Sequence, residues 1–444
     1  MHEEAQKAEF DLLMESQFWP SERIRALQRE RLEILLRHAK ANVPFYATRL
    51  DPLFRADGSI DWDRWGEIPT LKRSDLIEHR RALLARDMPP GHGRIGDIAT
   101  SGSTGTPVVT SHTSFALAMT RAAVFRANFN DGTDFGTPLG AWVGLRSDVA
   151  RWPDGRRAGP WGPWWEPSAL NGERLEINHH VPSAQVLEFF GRNQVRYVLC
   201  GGTDARLLAH EAERLGIALS LDAILTRGTD ATAPGRTLIA EVFGARTLAL
   251  YSSKEGHRMA HSCTQCGGWH VNDEHVLVEI LDEEGSPVPV GQTGRVVITP
   301  LWGFAQPLLR YEQGDLATRG ASSGCGRGLS IMDDIVGRVR HMFVMPDGSR
   351  IVPDLPVAAV AALNAEMFQV AQISPETVEV RYVRRGNGGS PNGEPVQAAL
   401  AGLLHAGITV SFREITAFEL PPGRKHLEFV SELDGSTAPQ VAPP

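Results

Sequence analysis

The chain has 444 residues, of which 42% are hydrophobic and 22% charged, a composition typical of a globular protein. Its formal net charge of −8, without a dense run of Lys and Arg, argues against nucleic acid or an anionic membrane as the main partner. The N-terminal residues do not resemble a signal peptide, and no apolar run approaches the roughly 18 residues of a membrane span. We therefore expect a cytoplasmic protein that acts on a small molecule.

The first part of the chain predicts a long helix followed by a loop. Apolar residues recur near helical spacing from Pro20 to Val43, and Ser21 can cap the start of this helix. The Trp- and Pro-rich stretch from Asp61 to Thr70 then predicts a loop.

From about Val181 onward, helical patterns alternate with short apolar runs. Such alternation predicts a parallel sheet flanked by helices. A serine-capped helix is expected at its start, and Gly216 should end the second helix. The helical segments are VPSAQVLEFFGRN (181–193), DARLLAHEAERLG (204–216) and LIAEVFG (238–244), and the strand-like segments are VRYVLC (195–200), LDAILTRG (221–228) and RTLALYSS (246–253).

The pattern becomes β-rich after about Cys263 and changes again near residue 338. The runs HVLVEILD (275–282) and GRVVITPL (294–301) predict strands of a separate β-unit, joined by a turn at DEEGSP. Further strands are predicted at VEVRYVRR (378–385), ITVSFREI (408–415) and HLEFVSEL (426–433), with a flexible loop at GNGGSPNGEP (386–395).

These patterns predict an α/β fold of unequal parts. The larger part, residues 1–337, would combine α/β subdomains with the β-rich unit. A small mobile α+β domain would follow at residues 338–433, and residues 434–444 would form a disordered tail.

A glycine- and hydroxyl-rich segment, TSGSTGTPVVT (100–110), is the first candidate site. Glycines let a backbone turn its N–H groups toward an anion, and hydroxyls add further donors, so the segment suits a polyphosphate. It lacks the Walker pattern. The alternative is an ordinary surface loop.

A second candidate is YSSKEG (251–256), at the predicted carboxyl end of a strand, where open α/β sheets bind ligands. Tyr251 can stack on a nucleobase, and the hydroxyls of Ser252 and Ser253 can reach phosphate. Glu255 offers a hard oxygen ligand to Mg²⁺. The alternative is a solvated loop with an exposed Lys254–Glu255 pair.

Three single residues complete the set. Asp315, in RYEQGD, could accept hydrogen bonds from a ribose diol, although an Asp beside Gly is also common in turns. Arg338 lies at the predicted domain junction. Lys425 precedes a predicted strand, where a lone lysine would ordinarily be a solvated surface charge.

Taken together, the motifs SGSTGTP, YSSKE, RYEQGD, VGR and GRKHLEFVSEL resemble the adenylate-forming superfamily of acyl-CoA ligases, in their order and separations. Within it the chain resembles the phenylacetate-CoA ligase-like branch, which the N-terminal segments WPSERIRALQRERLEILLRHAKANVPFY and IPTLKRSDL also match. The resemblance implies ATP-dependent activation of an aromatic carboxylic acid as acyl-adenylate, followed by transfer to coenzyme A. The alternatives are transfer to an amine or a carrier-protein thiol, and a non-catalytic nucleotide- and zinc-binding protein.

The resemblance also implies residue roles. Lys425 would reach in from the small domain to contact the carboxylate and the α-phosphate. The nucleotide would be held by Ser101, Gly102, Ser103, Thr104 and Gly105 at its β- and γ-phosphates, by Glu255 through Mg²⁺, by Tyr251, Gly228, Thr229 and Asp230 at the adenine, and by Asp315 and Arg338 at the ribose.

Two departures from the family pattern concern the second half-reaction. Thr106 stands where family members usually carry a lysine, and Arg340 and His341 replace the usual Asp pair after the junction Arg. In the family the first of those acids is where the small domain pivots. Adenylation is therefore more firmly predicted than thioester formation.

Three cysteines and a histidine form a candidate metal site. Cys263 and Cys266, in C-x₂-C spacing, precede His270, and Cys325 follows later, which makes a donor set suited to structural Zn²⁺. The resembling branch often has a further cysteine where this chain has Ser323. The alternatives are reduced structural thiols, or ligation by other histidines: His257, His261 and His275.

Three further residues have simpler interpretations. Cys200 belongs to a predicted buried strand and is expected in the core. Trp142 and Trp302 are candidate walls of the acid-binding pocket, although buried aromatic residues are usually core.

Overall fold

The computed structural model describes residues 2–99, 108–146, 148–167, 170–227, 233–321, 324–338, 342–351, 353, 355–384, 390–404, 407–418 and 428–433. The chain divides into two compact units. The first is formed by residues 1–99, 108–313 and 317–335, and the second chiefly by residues from 336 onward. In the described part, every helix is too short or too polar to cross a membrane.

The helices of the first unit are α1 (Glu3–Ser16), α2 (Ser21–Asn42), α3 (Arg73–Glu78), α4 (Ser114–Asn130), α5 (Ser183–Arg192), α6 (Gly202–Leu215) and α7 (Ala233–Phe243). Its strands are β1 (Ile95–Ala99), β2 (Val109–Thr113), β3 (Leu139–Val143), β4 (Arg156–Pro160), β5 (Glu173–Asn178), β6 (Tyr197–Cys200), β7 (Ala223–Arg227), β8 (Arg246–Ser253), β9 (His257–Ser262), β10 (Trp269–Val271), β11 (Val276–Leu281), β12 (Thr293–Pro300), β13 (Tyr311–Arg319) and β14 (Ile331–Arg338).

Helix α2 confirms the predicted helix, but its start differs from the expectation. Pro20 occupies the N-cap position, and Ser21 is the first helical residue with no side-chain capping bond. Proline fixes φ at a value that suits the entry to a helix, so no serine cap is needed. The predicted loop at 61–70 is also partly ordered, because Trp62–Glu67 forms a 3₁₀-helix.

The alternating segments form the predicted parallel sheet. Strands β5, β3, β6, β7 and β8 are parallel neighbours in that order. Helices α5, α6 and α7 connect them, and α6 ends at Gly216, whose φ of 64° is left-handed as expected. The N-cap of α5 is Pro182 rather than a serine. The carboxyl ends of β7 and β8 therefore lie at one edge, which is where the candidate site begins.

The prediction of a separate β-unit is wrong. Strands β11 to β14 join the parallel strands in one sheet of 12 strands, ordered β11-β12-β13-β14-β10-β9-β8-β7-β6-β3-β5-β4. The link is made by β9, which folds back antiparallel on β8, and by β10, which pairs with both β9 and β14. A hairpin thus carries hydrogen bonding from the parallel half into the antiparallel half.

The sheet is covered on its faces by helices. Phe10 and Leu13 of α1 and Phe125 of α4 pack with Leu225 and Leu248 of the sheet. A separate cluster of apolar side chains packs α2 against the antiparallel strands and against the segment that follows α2 in the chain. Burial of these apolar side chains is the main driving force for the arrangement.

The second unit is a small α+β structure, as expected. Its sheet has the order β19-β18-β17-β20, and Val378, Val380 and Leu400 are in its core. The elements are β15 (Phe343–Val344), β16 (Arg350–Ile351), α8 (Val357–Ala362), β17 (Ala365–Ser374), β18 (Thr377–Arg384), α9 (Glu394–Leu404), β19 (Thr409–Glu414) and β20 (Phe429–Ser431).

Two details of this unit differ from the sequence prediction. Strand β17 and helices α8 and α9 were not predicted, and α9 begins at Glu394, inside the segment assigned to a flexible loop. The proposed tail at 434–444 lies outside the described residues. The boundary at residues 337 and 338 stays a prediction.

Candidate active site and cysteine cluster

The structure describes only part of the predicted nucleotide site. The described members are Tyr251, Ser252, Ser253, Glu255 and Asp315. The residues outside the described part are Ser101, Gly102, Ser103, Thr104, Gly105, Thr106, Gly228, Thr229, Asp230, Arg340, His341 and Lys425, and for Arg338 only the backbone is described.

Four of the described members, Tyr251, Ser252, Ser253 and Glu255, lie on the hairpin between β8 and β9. Tyr251 is half-buried opposite Ala260, and the register shifts by a bulge between Tyr251 and Ser252. Bulges re-aim side chains and often occur beside active sites. The predicted position of YSSKEG at the end of a parallel strand is therefore confirmed.

The turn of this hairpin is held in one conformation. The Gly256 N–H donates to Ser253 Oγ (2.7 Å), and Ser253 Oγ donates to Gln313 Oε1 (3.1 Å). A Cβ on Gly256 would lie 2.5 Å from Ile298 Cδ1, so a larger residue there would displace the end of that side chain. The hydroxyl predicted to reach phosphate thus has a second task, which is to order the turn that carries Glu255.

Glu255 is only 5% exposed. Among the described residues its carboxylate has neither a hydrogen-bond donor nor an ion-pair partner. A buried carboxylate without a partner is costly, and a cation is the usual remedy. The donor chemistry fits Mg²⁺, which prefers carboxylate oxygen. Asp315, 6% exposed on β13, follows Gly314, whose φ is 79°.

Lys254 is not paired with Glu255, contrary to the simplest surface-loop interpretation. Its Nζ donates to the Ala99 carbonyl. Ala99 ends β1 opposite Val109 of β2, so these two strands flank the segment predicted to hold phosphate. The hairpin is therefore tied to the start of that segment.

Two histidines that sequence reasoning did not place in the active site adjoin the hairpin. The ring centroids of His112 and His257 are 4.2 Å apart, and His112 Nε2 lies 2.7 Å from Thr110 Oγ1. Burial lowers the pKa of His112 to about 4, and burial with the charges of His112 and Arg258 lowers the pKa of His257 to about 3. Both rings are therefore neutral at pH 7. The φ of His257, 57°, is strained for a non-glycine residue, a feature that clusters at functional sites.

The cysteine cluster forms as predicted. The ligand atoms of Cys263, Cys266, His270 and Cys325 all lie within 4.8 Å of one another. His270 Nε2 is 3.6 Å from Cys266 Sγ and 3.2 Å from Cys325 Sγ. The turn between β9 and β10 brings the first three together, because Cys263 N–H donates to the Gly268 carbonyl (2.9 Å).

The surroundings of the cluster act on its thiols in opposite directions: the charge of Arg327 favours thiolates, and burial opposes them. Arg327 Nη1 lies 3.8 Å from Cys263 Sγ and 3.5 Å from Cys325 Sγ, so its charge favours thiolates. Burial, with the charge of Arg327, lowers the pKa of His270 to about 4, which leaves its imidazole neutral. Burial and the neighbouring cysteines raise the pKa of Cys266 to about 11. The alternative ligands His257, His261 and His275 are not members of this group.

The remaining candidates are structural in their contacts. Cys200 is buried in β6, as expected. Trp142 donates from Nε1 to the Asn178 carbonyl (3.2 Å), and its ring stacks on His179. Trp302 packs edge-on against Phe115, and neither tryptophan is shown to line a pocket.

Comparison with known proteins found two sequence relatives with the same name. No protein-family model matches the chain. A phenylacetate-coenzyme A ligase of Thermus thermophilus is 28% identical over 354 residues, which cover 78% of this chain and 76% of the relative. One from Pseudomonas putida is 25% identical over 374 residues, covering 82% and 80%.

Solved structures have the same fold. A 2-hydroxyisobutyryl-CoA ligase in complex with an acyl-adenylate matches with a TM-score of 0.68 at 18% identity, covering 95% of this chain and 92% of that one. An anthranilate-CoA ligase in complex with anthranoyl-AMP matches with a TM-score of 0.51 at 14% identity, covering 75% and 65%.

The chain therefore has the fold of these acyl-CoA ligases. Its sequence is similar to those of the two phenylacetate-coenzyme A ligases.

Proposed function

We propose that this chain activates an aromatic carboxylic acid with ATP and Mg²⁺ and transfers the acyl group to coenzyme A. The observation that supports this most directly is the carboxylate of Glu255, which is buried in a turn at the end of β8 and has no partner among the described residues. The names of the curated relatives, both phenylacetate-coenzyme A ligases, support the acid class and the acceptor.

The chemistry has two displacements. A carboxylate oxygen of the acid bonds to the α-phosphorus of ATP, the bond to the bridging oxygen breaks, and pyrophosphate leaves. The thiolate of coenzyme A then bonds to the acyl carbon, and AMP leaves. Neither step needs a covalent enzyme intermediate, so positioning and charge stabilisation account for catalysis.

The proposed residue roles follow from this scheme. Glu255 would hold Mg²⁺, which neutralises phosphate charge when bound. Tyr251 would pack against the adenine beside Gly228, Thr229 and Asp230. The other proposed contacts are those of Ser101, Gly102, Ser103, Thr104 and Gly105 to the leaving pyrophosphate, of Ser252 to phosphate, of Asp315 and Arg338 to the ribose, and of Lys425 to the carboxylate and α-phosphate.

Acid-dependent pyrophosphate release tests the proposal. The protein is incubated with ATP, Mg²⁺ and a panel of aryl and alkyl acids, and the expected result is release with one or more aryl acids. Product masses then identify the acceptor when coenzyme A, amines and a carrier protein are supplied separately. Release with no acid of a broad panel would refute the enzyme assignment.

Lys425 gives a sharper test of mechanism. Lys425→Ala should lower the rate of adenylate formation by roughly 10²–10³-fold, the usual effect of removing one charge-stabilising donor. The thermal unfolding midpoint should not change. Lys425→Arg, which keeps the charge, is the matched control. Normal pyrophosphate release by Lys425→Ala would remove this residue from the mechanism.

A second acceptor class is supported by one sequence feature. Arg340 and His341 replace the acids at the proposed pivot, so transfer to an amine or a carrier-protein thiol is the alternative second step. An amide or carrier-bound product, with no acyl-CoA, would favour it.

We also propose a structural Zn²⁺ site at Cys263, Cys266, His270 and Cys325. Three sulfur ligands and one nitrogen fit tetrahedral zinc and leave no open position for chemistry. The site would fasten the β9–β10 hairpin to the segment before β14, next to the active-site hairpin.

Metal analysis tests this site. Protein purified without chelator should contain about one zinc per chain, and Cys266→Ser should lose most of it. Cys200→Ala, which removes a buried cysteine outside the cluster, should retain zinc. A wild-type content below roughly half a zinc per chain would argue against the site.

A further inference from the structure

Two arginines lie near the hairpin that carries Glu255, and the charges of two more act on the first of them. Arg227 is the last residue of β7, and Arg258 is the second residue of β9. Arg174 lies near the start of β5, and Arg121 lies on α4. These four residues are called the arginine cluster below. They are separated by up to 137 positions in the sequence, so they do not form a recognisable sequence motif.

Sheet register places two members of the arginine cluster on one face. Arg174 pairs with Leu139, Leu139 with Tyr197, and Tyr197 with Ala223. Paired residues share a face, and alternate residues return to it, so Arg174 and Arg227 lie on the same side. This is the side on which Ala122 and Phe125 of α4 pack. Arg121 therefore comes from the helix that covers these strands.

Arg258 lies on β9, which is separated from the β7 strand of Arg227 by β8. It is paired with Ser252 of β8, and β8 pairs with β7 so that Leu250 is opposite Arg227. Helix α4 also packs against β9. Arg227 and Arg258 thus lie two strands apart at the end of the sheet where the candidate active site begins.

The two arginines nearest the hairpin lack acidic partners. Arg227 and Arg258 are both half-buried, and no described carboxylate lies within ion-pair distance of either. Arg227 Nε is inaccessible to solvent and has no hydrogen-bond partner among the described residues. Arg174 differs, because its Nε is 2.8 Å from Glu176 Oε1. Among the described residues, Glu176 is thus the one carboxylate that forms an ion pair with a member of the arginine cluster.

The local charge is unfavourable without an anion. Burial, together with the positive charges of Arg258, Arg174 and Arg121, lowers the pKa of Arg227 to about 9. Burial also lowers the pKa of Arg258. The adjacent His112 and His257 are neutral and supply no negative charge. Buried charges are retained in proteins when they are paired or bind a ligand, so this cluster fits an anionic ligand.

We propose that the arginine cluster binds a second anionic group on the acid substrate, so that the preferred substrate is an aromatic dicarboxylate. This inference rests on the proposed function, because it assumes that the other carboxyl group is adenylated beside Glu255. Guanidinium groups bind carboxylates through paired, charge-assisted hydrogen bonds, which explains arginine rather than lysine at these positions.

The nucleotide phosphates are the competing anion. Arg258 is paired with Ser252, which is assigned to phosphate, and Arg227 directly precedes the residues assigned to the adenine. The test therefore follows the KM for ATP together with the preference among acids.

The test compares matched acids in wild-type protein and two variants. The pairs are 4-carboxyphenylacetate with phenylacetate, and terephthalate with benzoate. Wild type should have the higher kcat/KM for the dicarboxylate of at least one pair. Arg227→Met and Arg258→Met should lower the ratio of dicarboxylate to monocarboxylate kcat/KM by roughly tenfold to a hundredfold. Arg146→Met, at a side chain that is 83% exposed, should leave the ratio unchanged.

Three outcomes would overturn the inference. Wild type could prefer the monocarboxylate in both pairs, or the variants could keep the wild-type ratio. A rise in the KM for ATP, with an unchanged acid ratio, would instead assign the cluster to a nucleotide phosphate.

Calorimetric binding of the same acids to the nucleotide-free protein separates this inference from the proposed function. If no acid supports pyrophosphate release, the proposed function fails. Tighter binding of 4-carboxyphenylacetate than of phenylacetate, lost in Arg227→Met, would still support the anion site. Equal binding of the two acids would refute it.

Discussion

Two buried arginine centres in the first unit differ in how their charge is balanced. Arg126 and Glu274 are both fully buried, and Arg126 Nη1 donates to Glu274 Oε1 (2.8 Å). Arg126 Nη2 donates to Asn272 Oδ1 (2.5 Å), and Ser16 Oγ donates to Glu274 Oε1 (2.6 Å). Arg227, in contrast, has no acidic partner among the described residues, and the positive charges of Arg258, Arg174 and Arg121 act on it. The first centre contains its own counter-charge, although Arg126 Nε and Glu274 Oε2 have no hydrogen-bond partner among the described residues. The second is the centre for which we propose an anionic ligand.

The difference separates a structural charge from a binding charge. The Arg126 centre connects α1, α4 and the segment after β10, and Arg31 and His275 form an adjoining pair of contacts with Glu9, at 2.7 Å each. Removing one partner there leaves an uncompensated charge inside the core. Removing Arg227 takes away a charge that has no acidic partner among the described residues.

The largest expected effect comes from breaking the complete centre. Glu274→Gln keeps the side-chain shape but leaves Arg126 buried without a counter-charge, and should lower the free energy of unfolding by about 3–5 kcal/mol. Chemical denaturation of the full chain measures this loss of stability. The double variant Arg126→Met with Glu274→Gln should recover most of the loss. A single variant as stable as wild type would show that this centre is not needed for stability.

An effect of intermediate size on the free energy of unfolding is expected when the pH is lowered. Burial by itself would raise the pKa of Glu9, but hydrogen bonds and charges from His275 and Arg31 lower it from 4.5 to about 2. Because the folded-state pKa is depressed, the stabilisation is present above about pH 4.5 and is lost as the pH falls toward about 2. Its full size is roughly 3 kcal/mol.

Glu9→Gln isolates this contribution. The difference in unfolding midpoint between wild type and Glu9→Gln should be largest near neutral pH and should shrink across the acid range. The Lys7→Gln variant, which alters an exposed pair with Asp11 on the same helix, is the control. A difference that does not vary with pH would contradict the assigned cause.

The smallest effect is expected at the arginine cluster. Arg227→Met removes a buried positive charge from a group of like charges, so stability should be unchanged or higher by about 1 kcal/mol. The same denaturation measurement checks it beside Glu274→Gln. A loss as large as that of Glu274→Gln would mean that Arg227 has a structural partner.

The motifs proposed to bind ATP could be recognised from the sequence because their spacing is local. Tyr251, Ser253 and Glu255 lie within one β-hairpin, and the C-x₂-C pair with His270 lies within the next. A short segment fixes such geometry largely by itself. The arginine cluster had no such signal, since Arg121, Arg174, Arg227 and Arg258 come from four separate elements.

The errors in the fold prediction have a related cause. The β-rich segment was assigned to a separate unit because its pattern changes after Cys263, yet β9 and β10 continue the hydrogen bonding across that change. Periodicity reports which residues are buried, but it does not report which strands are neighbours. Ser21 and Ser183 were predicted to cap α2 and α5, because serine is a preferred N-cap residue. In the structure a proline occupies the N-cap position of both helices.

The sequence by itself determined the α/β class, the order of the motifs proposed to bind ATP and the four residues of the cysteine cluster, because each depends on periodicity or on close spacing. Only the tertiary structure decided that the sheet is continuous, that Ser253 orders the turn of Glu255, and that Arg227 and Arg258 lie at the same end of the sheet. Long-range packing brings these groups together. Their contacts cannot be read from neighbouring residues in the sequence, because the groups are far apart along the chain.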